Sequence, residues 1–180
     1  MLKLKSTDAI SRSNIMPEAS SPFQRPESRF SPDTTRRRDD MRGRVALVTG
    51  VGRRRGIGSA ICRSLAARGA DVVFSYWKAY DREMPWDSDE DEPGALLEEL
   101  RGAGVRAVGV ELDLSLPESP ERLLDAAEQK LGRPTILVNN AAHSEHDGFE
   151  NLDAATLDAH HAVNVRATAL LSVGFARRIG

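Results

Sequence analysis

From residue 45 onward, short apolar runs alternate with segments whose apolar residues recur every three or four positions. Val45–Thr49, Val72–Ser75, Val105–Leu112 and Thr135–Asn139 are short runs of the kind that form buried strands. Ile57, Ile61 and Leu65 share one helical face, and Gly69 suits that helix's C-terminal cap. Pro93–Arg101 is a predicted helix carrying Leu96, Leu97 and Leu100, stopped by Gly102 and Gly104. Ser119 as N-cap and Pro120 as first helical residue open another, which runs to Leu131 with Gly132 after it. A long helical stretch, broken once at most, is expected from Leu152 to Arg178. Residues 78–92 form a polar, acidic connection. Strand and helix in this rhythm mean βαβ units, a parallel sheet and helices on both faces, hence a three-layer α/β fold. Right-handed crossovers then favour the strand order 3-2-1-4.

That order is the Rossmann-type doubly wound arrangement, here partial, and it locates a ligand site. Ligands bind outside the carboxyl ends of the strands where the order reverses, which falls between the first and fourth strands. The turn after the first strand reads Thr49-Gly50-Val51-Gly52-Arg53-Arg54-Arg55-Gly56-Ile57-Gly58. Glycines let a backbone turn tightly and approach a pyrophosphate without a Cβ clash. The helix that follows offers its free N–H groups and positive dipole end to the same anion. A glycine-rich turn that merely shapes some other α/β protein is the competing interpretation.

Residues 1–40 differ from the rest. They hold Pro17, Pro22, Pro26 and Pro32, many serines and few large apolar residues, so they are read as a disordered extension. Met41 stands directly before the first strand and is read as the natural start; residues 41–180 are the domain. The formal net charge of -2 gives no reason to expect nucleic acid or an anionic membrane as partner. The one cysteine, Cys62, excludes an internal disulfide and fits a reducing, cytoplasmic compartment. No apolar run approaches the roughly 18 to 20 residues that span a bilayer.

VTG at 48–50, GIG at 56–58, NNAA at 139–142 and Asn164 in NVRATALL together resemble the short-chain dehydrogenase/reductase family. The 3-oxoacyl-acyl-carrier-protein-reductase-like members are the most similar branch, and the resemblance covers residues 41–180. It implies hydride transfer between a nicotinamide dinucleotide and a small-molecule carbonyl or alcohol, a 3-oxoacyl thioester being one candidate. The family's usual loop is TGxxxGxG; here five residues rather than three separate Gly50 from Gly56. By resemblance, Gly50, Gly56, Ile57 and Gly58 line the pyrophosphate turn. Asp113, with Leu114 next to it, matches the aspartate beside the adenine. Asn139, Ala141 and Ala142 match the segment along the cofactor ribose, Ala142 replacing a glycine. Asn164 matches the helix asparagine that supports the catalytic proton relay. The family's homo-oligomeric state is expected as well.

Members that prefer NAD carry a carboxylate at the end of the second strand. That place reads Phe74-Ser75-Tyr76-Trp77-Lys78, so Tyr76 borders the site without a carboxylate. Arg53, Arg54 and Arg55 suit a 2′-phosphate through charge-assisted hydrogen bonds, which favours NADP, with NAD as the alternative. The resemblance also implies a serine and a YxxxK pair whose tyrosine moves the proton. An ordinary tyrosine, with a pKa near 10, needs that lysine to act as a base at neutral pH. The two tyrosines present are Tyr76 and Tyr80, and Met84 stands four residues after Tyr80. The sequence is therefore expected to be a C-terminally truncated, catalytically incomplete member of the family. A non-catalytic nucleotide-binding or interaction module is the second hypothesis, and another Rossmann enzyme, an epimerase or methyltransferase, the third.

Other groups carry less. His143 follows NNAA and is expected either to border the nicotinamide pocket or to sit in an ordinary loop. His146, His160 and His161 lack a converging carboxylate or thiolate set, so no metal is expected. Cys62 has no partner base and is read as a packing residue. The acidic run Asp87–Glu92 lacks EF-hand spacing and is read as a solvated loop.

Overall fold

The computed structural model describes residues 40–84, 91–145 and 148–179. The extension expected at 1–40 lies outside the described residues except for Asp40, as do Trp86, His146 and positions 87–90 of the acidic run. The strands are β1 (Val45–Val48), β2 (Asp71–Tyr76), β3 (Ala107–Glu111) and β4 (Ile136–Val138). They pair in parallel in the order β3-β2-β1-β4, the expected arrangement. Both faces are buried, so neighbouring residues of one strand enter different cores. Ala46, Val48, Val72 and Phe74 face one cluster with Cys62, Leu65, Leu96 and Leu100. Val45, Leu47 and Val73 face the other with Leu123, Leu124, Ala127, Ala167 and Leu171. Burial on both faces is why the strands read as continuous apolar runs.

The helices are α1 (Ile57–Ala66), α2 (Lys78–Glu83), α3 (Glu92–Gly102), α4 (Ser119–Leu131), α5 (Ala154–His160) and α6 (Thr168–Ile179). Three details depart from expectation. First, the polar connection after β2 contains the short α2, none of whose residues is buried. Second, Ser119 is the first residue of α4, not its cap; Glu118 takes the cap position without a side-chain bond. Ser119 is drawn inward to 1% exposure, and its hydroxyl has no hydrogen-bond partner among the described residues. Third, the last long helix starts at Ala154, where the Asp153 carboxylate accepts from the Thr156 N–H at 2.8 Å. It is not broken; its backbone widens to π-helical geometry over His161–Ala167 before continuing as α6.

Long-range polar contacts pin the layers. Arg106, just before β3, donates to both Asp71 carboxylate oxygens from its N–H and guanidinium, and to the Leu131 carbonyl. Arg178 near the end of α6 reaches Glu121 and Asp125 of α4 at 2.6 and 2.7 Å. Among the described residues no helix is long and apolar enough to cross a membrane.

Candidate functional site

At the carboxyl ends of β1 and β4 the chain makes two turns that are stitched together. Thr49, 1% exposed, donates its N–H to the Val138 carbonyl. Its hydroxyl accepts from the N–H groups of Asn140 and Ala141, each at 3.0 Å. The Asn140 amide in turn donates to the carbonyls of Thr49 and Gly50, both at 2.9 Å. Gly50 has φ +72, and a Cβ there would lie 2.4 Å from the Ala141 Cα. At Gly58 a Cβ would lie 2.7 Å from the Asn140 amide nitrogen and 3.0 Å from the Gly50 carbonyl. Glycine is thus required at both places by close approach, and at Gly50 by a left-handed backbone as well. The glycine turn is thereby packed against the loop after β4, and Gly50 and Gly58 bring backbone to the surface at the start of α1.

Gly56 occupies the N-cap of α1 with no side-chain cap, and the first turn carries no acid. Its leading N–H groups therefore remain available to an anionic ligand. A cavity of about 290 Å³ opens here. Gly50, Gly56, Ile57 and Gly58 line one side, and Ile57, 76% exposed, offers it an apolar patch. Asp113 and Leu114 after β3 line another side, with Tyr76 at the end of β2. Burial, with the nearby acids Glu111 and Asp91, raises the Tyr76 pKa above its ordinary value. Ala141, Ala142, His143 and Val163 complete the far end. The Asp113 carboxylate accepts from the Ser115 N–H and hydroxyl, both at 2.7 Å, so it also shapes its own loop.

The three arginines separate. Arg53 lines the cavity. Arg54 turns to α3, its N–H donating to Glu92 at 2.7 Å and its guanidinium to Glu99 at 3.3 Å. Arg63 of α1 donates to both Glu99 oxygens and to the Arg54 carbonyl, which ties the lengthened loop between two helices. Those bonds from Arg63 and Arg54 hold the Glu99 carboxyl down at about 2. Glu92 was expected in a solvated loop, but it opens α3 and anchors this turn. Arg55 is exposed and outside the cavity wall.

Asn139 does not line the cavity; its amide donates to the Ser172 hydroxyl of α6 at 3.1 Å. Asn140, which the sequence did not single out, lines it instead. Alternation along a strand decides which of two adjacent asparagines points where, and that parity is not legible at a strand's frayed end. Asn164 lies in the π-helical segment. Its Oδ1 accepts from the His143 N–H at 2.8 Å and its Nδ2 donates to the His143 carbonyl at 3.0 Å. It thereby fixes the main chain at the far end of the cavity. π-helical turns often mark functional positions, because the extra residue re-aims a side chain. Ser75, Trp77, Tyr80, Asp81 and Ser144 also line the cavity and were not anticipated. Tyr80 and Asp81 came unsignalled because their helix has no buried stripe. Cys62 is buried, and burial pushes its thiol up to about 12. Among the described residues no group of three His, Cys, Asp or Glu residues is placed to hold a metal ion.

The family model for short chain dehydrogenases matches residues 44–179. The chain is 39% identical over 135 residues to an uncharacterized oxidoreductase, YjdA, of Bacillus subtilis, covering 75% of this chain and 50% of that protein. A short chain dehydrogenase from Burkholderia cenocepacia, solved in complex with NADP, superposes with a TM-score of 0.68 at 34% identity, over 78% of this chain and 52% of that one. A 3-oxoacyl (acyl-carrier-protein) reductase from Agrobacterium tumefaciens with NADP bound gives a TM-score of 0.67 at 27% identity, over 80% and 50%. The chain spans about half the length of the curated relatives it matches.

Proposed function

Because the chain belongs to the short-chain dehydrogenase family, we propose that its cavity is the cofactor site of an NADP(H)-dependent oxidoreductase. The whole protein would interconvert a small-molecule carbonyl and its alcohol, a 3-oxoacyl thioester being one candidate. The observation that carries this reading is the tightly packed glycine turn, whose Gly50 and Gly58 bring backbone to the cavity at the uncapped start of α1. A pyrophosphate fits there because the backbone approaches it closely and supplies N–H donors. When bound, the nicotinamide gives or takes the hydride. The residues of this chain bind and orient. Gly50, Gly56, Ile57 and Gly58 hold the diphosphate, and Arg53 meets the 2′-phosphate. Tyr76, Asp113 and Leu114 wall the adenosine, and Ala141 and Ala142 run along the ribose. Asn164 positions the His143 main chain beside the reacting ring. Arg54 and Arg55 add positive potential, and Asn139 braces the turn from behind. Residues 41–180 form the N-terminal part of the dinucleotide-binding domain, and the whole protein acts as a cytoplasmic homo-oligomer.

Titrating the chain with NADPH and NADH and following cofactor fluorescence tests this. NADPH should bind more tightly at moderate salt. Tighter NADH binding would reverse the choice of cofactor, and binding of neither would sink the site. Reduction of a generic diketone should appear in a version extended through the downstream reading frame and not in the 180 residues alone. A downstream frame without YxxxK would favour the non-catalytic module.

A further inference from the structure

The short helix α2 owes nothing to core packing, since none of its residues is buried. It nevertheless touches both walls of the cavity. On one side Asp81 lies against the glycine turn: a Cβ on Gly52 would sit 1.8 Å from the Asp81 Oδ2. On the other, the Tyr80 hydroxyl donates to the Ser144 carbonyl at 3.1 Å and accepts from the Ser144 N–H at 3.0 Å. The Tyr80 ring stacks on Trp77, with centroids 6.4 Å apart and planes 12° from parallel, and tilts against His143 at 5.6 Å. The helix therefore bridges the turn after β1 and the loop after β4. Trp77, Tyr80 and Asp81 line the same cavity as the glycine turn and Ala141–Ser144, so a dinucleotide bound as proposed above would meet them.

Size and charge both favour opening of the bridge when a large anionic ligand enters. The cavity of about 290 Å³ is at the low end of ligand pockets, which run to about 1,000 Å³ for large ligands. The Asp81 carboxylate stands beside the turn that would receive the diphosphate, and like charges at such range repel. We propose that α2 is a strap across the cofactor groove, latched by Tyr80 onto the Ser144 main chain, and that opening of this latch governs cofactor entry and exit. Tyr80 is a positioning residue in this account, which rests on the cofactor reading above. The latch is specific because it uses both main-chain groups of one residue. Hydrogen bonds that are partly solvated are also weak enough to open reversibly.

The experiment compares the full chain with its Tyr80→Phe variant. NADPH is mixed in rapidly, then chased with excess NADP, and both rates are read from cofactor fluorescence. Loss of the latch should speed association and dissociation together, each about tenfold, with little change in Kd. Faster dissociation with a matching loss of affinity would make Tyr80 an ordinary ligand contact and overturn the strap, as would unchanged rates. In the ligand-free chain, amide exchange at Ser144 should quicken in the variant while α4 is unaffected; unchanged exchange at Ser144 also overturns it. Should Tyr80→Phe fold poorly, Asp81→Asn keeps the latch. It should accelerate NADPH association severalfold at low salt, a gain that fades as salt screens the charge; no gain overturns the repulsion. Wild-type chain that binds no NADPH overturns the cofactor reading and the strap with it, whereas binding with unaltered variant rates overturns the strap alone.

Discussion

Two residues show how far a side chain, or its lack, decides the site. Gly50 combines φ +72 with a Cβ position 2.4 Å from the Ala141 Cα, and both would be violated by alanine. Gly50→Ala should lower stability by about 2 to 4 kcal/mol and abolish NADPH binding, measured by denaturant unfolding and fluorescence titration. Stability near wild type would mean that the two turns separate easily. Asn164 is different, because it is exposed and its short contacts are to the His143 main chain, with a longer one of 3.4 Å to the His160 ring. Asn164→Ala should cost about 1 kcal/mol or less globally while amide exchange at His143 rises severalfold. At this scale the glycines were legible, since a residue without a Cβ in a strand–turn–helix setting has few other uses. The division of labour among Arg53, Arg54 and Arg55 was not. Arg54 is held by Glu92 and Glu99, 38 and 45 residues away in sequence.

Between elements, the lengthened glycine loop is stabilised by α3 as well as by its own turn. Glu99 is the hub, and its carboxyl is held near 2 from an ordinary 4.5 by the Arg63 and Arg54 guanidiniums. A depressed folded-state pKa means that this stabilisation is complete above about 4.5 and is lost as pH falls toward about 2. The Glu99 side chain is 38% exposed, so screening keeps the contribution below about 1 kcal/mol. Acidification through that window should therefore loosen residues 53–56 before the sheet, seen as faster amide exchange in the loop with β1 still protected. Glu99→Gln should show the loose loop already at pH 7. The helix α3 was expected from its leucines, but its second role was not, because an exposed glutamate carries no periodic signal. Likewise Ser119 has the residue type of an N-cap, yet burial against the core overrode that preference.

In the molecule as a whole, two cores flank one sheet, and Cys62 lies in the α1–α3 side at 0% exposure. With its thiol pushed up to about 12, it should resist a thiol reagent at pH 8 in the native chain and react at once in denaturant. Rapid native reaction would show that this layer opens easily. The sequence by itself determined the alternation of strand and helix, the parallel sheet in the order β3-β2-β1-β4, and the glycine turn at its switch point. These are local or nearly local properties: apolar periodicity reports which faces are buried, and handedness restricts the crossovers. Only the tertiary structure decided that Asn140 and not Asn139 faces the cavity, that Arg54 belongs to α3, and that Tyr80 spans the groove to Ser144, 64 residues on. Each depends on where two distant segments come to rest beside one another. That placement is set by packing the helices on both faces, and no residue pattern along the chain records it.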